Sequence, residues 1–168
     1  MSEVYPVYDT KIVHSGIFDF KDLYNFLYEW FRSLEYVVLE EKYSEKIKPT
    51  GKEVEILWLC LKKINDYFRF KIKVRIFIIK MVEVEITEEG VKIKKDKGDI
   101  EIKFAGFLEK DYENKWEQSP ITKFLRGLYD KYIIKSKIES YEDKLAEEVD
   151  ETSEQTKAFL ALEGRKGF

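Results

Sequence analysis

The run Phe68-Arg69-Phe70-Lys71-Ile72-Lys73-Val74-Arg75-Ile76-Phe77-Ile78 decides the fold. Its even positions are apolar and most of its odd positions are cationic, which is the period of a strand with one buried and one wet face. Just upstream, Val54, Ile56, Trp58 and Cys60 form a second even-numbered stripe, with turn-forming residues Lys63 to Asp66 between the two. The pair reads as a hairpin. Placing both stripes on one face requires an odd-length loop, such as Ile64-Asn65-Asp66, because a one-residue slip would send one stripe to the other face. The same parity puts Leu57, Leu59 and Leu61 on the outer face with Arg69, Lys71, Lys73 and Arg75. That face is therefore half apolar and half cationic.

Around this hairpin the chain reads as one α+β domain spanning 1–168. Residues 1–10 are expected to form an arm, 11–109 a strand, a helix and a meander, 119–162 a C-terminal helix or helices, and 163–168 a tail. A short strand from Lys11 to Phe18 carries Gly16 as a bulge or close backbone approach. The segment from Asp19 to Leu34 is a helix capped by Asp19, with Leu23, Leu27, Trp30, Phe31 and Leu34 at helical spacing. Its additional rings, Phe20, Tyr24, Phe26 and Tyr28, imply cover on two sides, by the C-terminal helix or by a partner chain. Tyr36 to Lys48 reads as a strand with Val37, Leu39, Tyr43 and Ile47 on one side. Turns are expected at Glu88 to Gly90 and at Lys95 to Gly98, with a bend or bulge at Ala105-Gly106. The result is an antiparallel meander sheet of about six to seven strands packed on an N-terminal helix and a long C-terminal helix.

Ser119-Pro120 opens the last helical segment. Ile121, Phe124, Leu125, Leu128 and Tyr132 form its stripe, expected to face the sheet. Unbroken to Leu162 it would run roughly 65 Å, longer than a domain of this size is wide, so a break is expected near Ile134 to Lys137 or near Asp150 to Ser153.

Composition narrows the chemistry. Charged residues make up 38% of the 168 and aromatics 15%, with a formal net charge of -3. Charge is unevenly placed: Lys62 to Lys80 holds seven Lys or Arg against Asp66, a balance of +6, while Glu139 to Glu154 holds eight acids against Lys144, a balance of -7. The acidic segment could lie along the basic sheet face, in its own subunit or a neighbour's. The competing explanation is neutralisation of the basic strand by Glu53, Glu55, Glu83, Glu85 and Glu101 on flanking strands. Nucleic-acid binding is disfavoured, since only Phe77 is placed to stack an outward base. One cysteine, Cys60, excludes an intramolecular disulfide and suits a reducing, cytoplasmic setting. No apolar run is long enough to span a bilayer.

No phosphate loop, nucleophile elbow, C-x-x-C or H-E-x-x-H pattern occurs. His14 is the lone histidine, with Ser15 pointing the opposite way on a strand, so no catalytic residue, metal site or cofactor is assigned. The expected function is non-catalytic binding of an apolar small molecule or lipid between the sheet and the C-terminal helix, in a cavity walled by Trp58, Phe68, Phe70, Phe104, Phe124 and Leu128. The alternative is a scaffold that forms a homo-oligomer through its terminal helix and the mixed face of Leu57, Leu59, Leu61, Arg69, Lys71, Lys73 and Arg75.

The order of strand, aromatic helix, meander and long C-terminal helix over roughly residues 11–160 resembles the helix-grip arrangement of the START and Bet v 1-like superfamily. That resemblance implies a sheet wrapped on a long helix, with room for an apolar ligand between them. One helix stands where that superfamily has two after the first strand, and the glycine-rich loop of its plant members is absent. The segments Phe18-Asp19-Phe20, Asp111-Tyr112-Glu113-Asn114-Lys115-Trp116 and Phe124-Leu125-Arg126-Gly127-Leu128-Tyr129-Asp130-Lys131-Tyr132 also resemble a family of small archaeal proteins that lends no activity.

Overall fold

A computed structural model of the chain describes residues 3–110, 112, 119–129, 131 and 135–165. The elements in chain order are β1 (Glu3–Phe18), α1 (Phe20–Ser33), β2 (Val37–Lys48), β3 (Gly51–Lys63), β4 (Phe68–Glu88), β5 (Val91–Lys110), α2 (Pro120–Leu128) and α3 (Lys135–Arg165). The five strands form one antiparallel sheet in the order β1-β5-β4-β3-β2. Strands β2 to β5 are a meander, and β1 returns to pair with β5. β1 and β2 are thus the two edges, and α1 crosses one face of the sheet between them.

The central hairpin has the expected parity. Cys60 pairs with Ile72, Trp58 with Val74, Ile56 with Ile76 and Val54 with Ile78, and every one of these is buried. The loop is displaced by one residue from the anticipated one. Asn65, Asp66 and Tyr67 lie between Ile64 and Phe68, whose carbonyl accepts from the Ile64 and Asn65 amides at 3.1 and 3.2 Å. Asn65 fixes this turn by accepting from the amides of Tyr67 and Phe68, each at 2.8 Å.

The sheet has five strands where six to seven were expected, because β4 and β5 run 21 and 20 residues without interruption. Lys95 to Gly98 is not a turn. It is strand, paired with β1 on one side and β4 on the other. Its glycine serves a close approach: a Cβ on Gly98 would sit 2.9 Å from the Ile79 carbonyl oxygen. Across β4, a Cβ on Gly51 would sit 2.7 Å from the Lys80 carbonyl carbon. The two glycines flank a bulge at Lys80, whose φ is 57°, where the register slips by one residue.

Other bulges also differ from the expectation. β1 extends from Glu3 to Phe18, so the supposed arm is strand, and its irregularity falls between Pro6 and Tyr8 rather than at Gly16. In β2 the register shifts between Glu40 and Lys42, which flips the parity. Val37 and Leu39 therefore share the outer face, while Tyr43 turns to the inner one and meets the Tyr24 ring at 6.5 Å. Likewise Ala105-Gly106 is not a bend but continues β5, and the register shift beside Gly106 is carried by the extra residue of β1 between Pro6 and Tyr8.

Both longer helices cover the inner, even-numbered face. α1 buries Leu23, Leu27 and Phe31, and Asp19 caps it by accepting from the Asp22 amide at 3.0 Å. Its extra rings are covered on two sides within the chain. Tyr24 and Tyr28 pack edge-on to Trp58, and Phe26 stacks on Phe159 of α3 at 4.7 Å. α3 lies over β1 and β5 and buries Leu145, Val149 and Leu160, each contributing roughly 2 kcal/mol. Gly106 lets it approach, since a Cβ there would lie 2.9 Å from Val149 Cγ2.

α2 ends at Leu128 and α3 begins at Lys135; the first anticipated break, near Ile134 to Lys137, starts outside the described residues, and the second does not occur, since α3 runs unbroken through Asp150 to Ser153. Thr152, Ser153 and Thr156 are intrinsically weak helix formers, but here they are buried contacts rather than hinges. Trp30 Nε1 donates to Thr152 Oγ1 at 2.8 Å, and Thr10 Oγ1 meets Ser153 Oγ at 3.4 Å. Residues 111 and 113–118, which include Trp116, together with Tyr132 and the tail beyond Arg165, lie outside the described residues.

One buried ionic cluster joins these layers. Glu148 of α3 accepts from Tyr36 Oη at 2.6 Å and from Lys62 Nζ at 2.8 Å, and the Lys62 ammonium lies 5.2 Å from the Tyr36 ring centroid. Removing one member leaves the others buried without a partner, which costs more than the pair contributes. We expect Glu148→Ala to lower the unfolding free energy by about 3 kcal/mol, and the double variant Glu148→Leu, Lys62→Met to lose less. Urea unfolding followed by tryptophan fluorescence checks the order.

Candidate docking face

The residues expected to wall a cavity divide into two groups. Trp58, Phe68, Phe70 and Phe104 are all nearly or fully buried within one continuous core. Rings pack between the sheet and the helices beside them: Phe68 and Phe70 meet Tyr141 at 5.0 and 6.3 Å, and Phe104 meets Phe31 at 6.1 Å. Phe124 and Leu128 are elsewhere. They are 66% and 39% exposed on α2, together with Ile121 and Leu125.

The orientation of α2 is the reverse of the one its pattern suggests. Ser119 caps it through a reciprocal box with Thr122, and Pro120 occupies the first turn, so the local start is as read. Its only buried residue, however, is Arg126, on the side opposite the apolar stripe. Arg126 Nη2 lies 2.7 Å from Glu3 Oε1, and its Nε donates to Tyr67 Oη at 3.3 Å. Tyr129 adds an edge-on contact with Tyr67 at 5.6 Å. These polar anchors at the Asn65 end of the sheet turn Ile121, Phe124, Leu125 and Leu128 outward.

The outer face of the sheet carries the second apolar surface. No described helix covers it. Register places Val37 opposite Leu61 and Leu39 opposite Leu59, then Leu61, Leu59 and Leu57 opposite Lys71, Lys73 and Arg75. On β5, Phe107 pairs with Lys71 and Ala105 with Lys73. A shallow groove of about 370 Å³ runs here between Leu57, Lys73, Arg75, Lys103 and Ala105. Phe107, Val37 and Leu39 were missed as members of this face. Carrying the stripe of Ile100, Ile102 and Phe104 on through Gly106 to Leu108 would have placed Phe107 outward.

The cations on this face are mostly neutralised by the sheet itself. Arg69 donates twice to Glu109 Oε2, at 2.9 and 2.7 Å, and Lys71 lies 3.8 Å from the same oxygen. Arg75 reaches Glu55 at 2.7 Å and Glu101 at 4.0 Å. Lys42 also donates to Glu55, and Lys11 and Lys103 flank Glu101. The acidic helix lies on the opposite face. Lys73 is the exception on β4, resting over the Phe107 ring at 5.3 Å.

Among the described residues no group of three or more His, Cys, Asp or Glu could hold a metal ion. Cys60 is buried, and desolvation pushes its thiol up to about 12, away from nucleophilic use. No protein-family model matches the chain, and neither does any curated protein or solved structure.

Hydrogen bonds from Lys42 and then Arg75 hold the Glu55 carboxyl below the usual carboxylate range, and a bond from Lys11 does the same for Glu101. A carboxylate with a lowered folded-state pKa contributes stability above its unfolded value, and that contribution is lost as pH falls through the folded value. Stability is therefore expected to decline as pH drops from about 5 toward 3, and less steeply in Glu55→Gln, Glu101→Gln. Urea midpoints measured across that range would show parallel curves if these two groups were not responsible.

Proposed function

We propose that this chain is a self-associating interaction domain, in which the exposed stripe of α2 from one copy packs on the uncovered sheet face of another. The observation that carries this reading is the coexistence, on one molecule, of an amphipathic helix with its apolar side outward and a leucine-bearing sheet face with no described helix upon it. The two surfaces are of matching chemistry. An apolar ridge at i, i+3, i+4 and i+7 suits a groove bordered by Leu57, Leu59 and Leu61.

The filled interior favours this over an apolar molecule held behind Trp58, Phe68, Phe70 and Phe104. A helix-grip arrangement remains our reading of the architecture. The edge-to-edge passage of α1 and the return of β1 beside β5 support it, as does α3 lying on the same face as α1. Cys60, unpaired and buried, supports residence in a reducing compartment such as the cytoplasm.

Because Arg69, Lys71 and Arg75 of β4 are paired within their own sheet, association should rest on apolar contact and change little with salt. Light scattering coupled to size exclusion should give a dimer or larger species at low and high ionic strength. Leu59→Glu and Phe124→Glu should each return a folded monomer. A wild-type protein that is monomeric throughout the accessible concentration range would overturn the proposal.

A further inference from the structure

A separate cleft of about 410 Å³ opens where the end of β1 meets the end of α3, away from both the filled interior and the outer face. This volume lies within the range of small-molecule sites. Two glycines on facing elements keep it open. Gly16 has a φ of +129°, which side chains rarely adopt, and a Cβ there would meet nothing within 4 Å. A Cβ on Gly164 would come 3.4 Å from His14 Cε1, so any longer side chain at that position would enter the cleft. Helical glycine costs stability relative to alanine, which makes an unfilled space beside it notable.

The lining is mainly apolar, with Ile17 contributed by β1 and Ala161 by α3, and it includes no carboxylate. Its charges are Lys97 and Arg165, both exposed at the rim, and neither forms an ion pair with any described residue. The neighbouring acid Glu163 is engaged by Lys95, 3.4 Å away, which also reaches Asp19. The carbonyl end of α3 works against an anion here, but Arg165 sits in that last turn and offsets it. His14 is committed on one side, its Nε2 lying 3.2 Å from the Ile17 carbonyl oxygen. An apolar slot with two unpaired cations at its mouth matches a molecule that is apolar along its length and anionic at one end.

We infer that this cleft binds a small apolar monocarboxylate, its chain against Ile17 and Ala161 and its carboxylate between Lys97 and Arg165. Isothermal titration of the full chain with decanoate below its micellar concentration, and with decanol as the uncharged control, tests it. Saturable one-site binding of decanoate is expected, weakened about tenfold or more in decanol and in Lys97→Glu. Gly164→Leu, which fills the slot from a position where leucine is the better helix former, should abolish binding and leave the circular dichroism and melting temperature at least as high. Absence of saturable decanoate binding, equal affinity for decanol, or undiminished binding by Gly164→Leu would each overturn the inference.

Discussion

The seating of α3 on the even-numbered face of the sheet is the constraint on which the rest depends. It is made of a close apolar approach over Gly106 and a buried carboxylate, Glu148, shared by Tyr36 and Lys62. Small polar residues Thr152, Ser153 and Thr156 continue the contact toward β1 and α1. Because this seat is polar as well as close, it specifies one position for the helix along its axis. An entirely aliphatic interface would tolerate sliding, whereas displacement here strands a charge in the core. With α1 and α3 on the inner face, the outer face has no described helix left to cover it.

The distribution of charge follows from the same placement. The long-range opposition between a basic strand and an acidic helix is resolved locally: Glu55, Glu101 and Glu109 answer Arg69, Lys71 and Arg75 of β4, and α3 sends Glu148 and Glu163 inward to Lys62 and Lys95. Most of the remaining acids of α3 are exposed. The outer face thereby becomes a place where apolar side chains stand between satisfied ion pairs, a composition suited to association that ionic strength does little to alter.

Period-2 alternation made the central hairpin legible because its stripes are buried on one side and unbroken by glycine, so register had a single solution. The same signal failed wherever a bulge intervened. Glu41 and Lys80 each reverse the parity of the residues that follow, and nothing in the adjacent residues announces it. Glycine misled for a related reason: Gly98 and Gly106 permit close approach by a strand and a helix, and so read as turns when they are interior strand positions. The reversal of α2 was hidden because its orientation is set by Arg126 meeting Glu3, more than a hundred residues away, rather than by its stripe. Of the candidate site, Leu57, Leu59 and Leu61 were visible from parity. The cleft beside His14 was not, since it exists only through the meeting of two chain segments far apart in sequence.

The most direct test of the helix seat is a cross-link between the hydroxyls that meet across it, Thr10 Oγ1 and Ser153 Oγ, 3.4 Å apart. With Cys60→Ala to remove the native thiol, Thr10→Cys and Ser153→Cys should close an intramolecular disulfide on mild oxidation. Intact mass and a faster-migrating unreduced band would report it. If both thiols stay free in the folded monomer, or react only between molecules, α3 does not lie along β1 and the account fails.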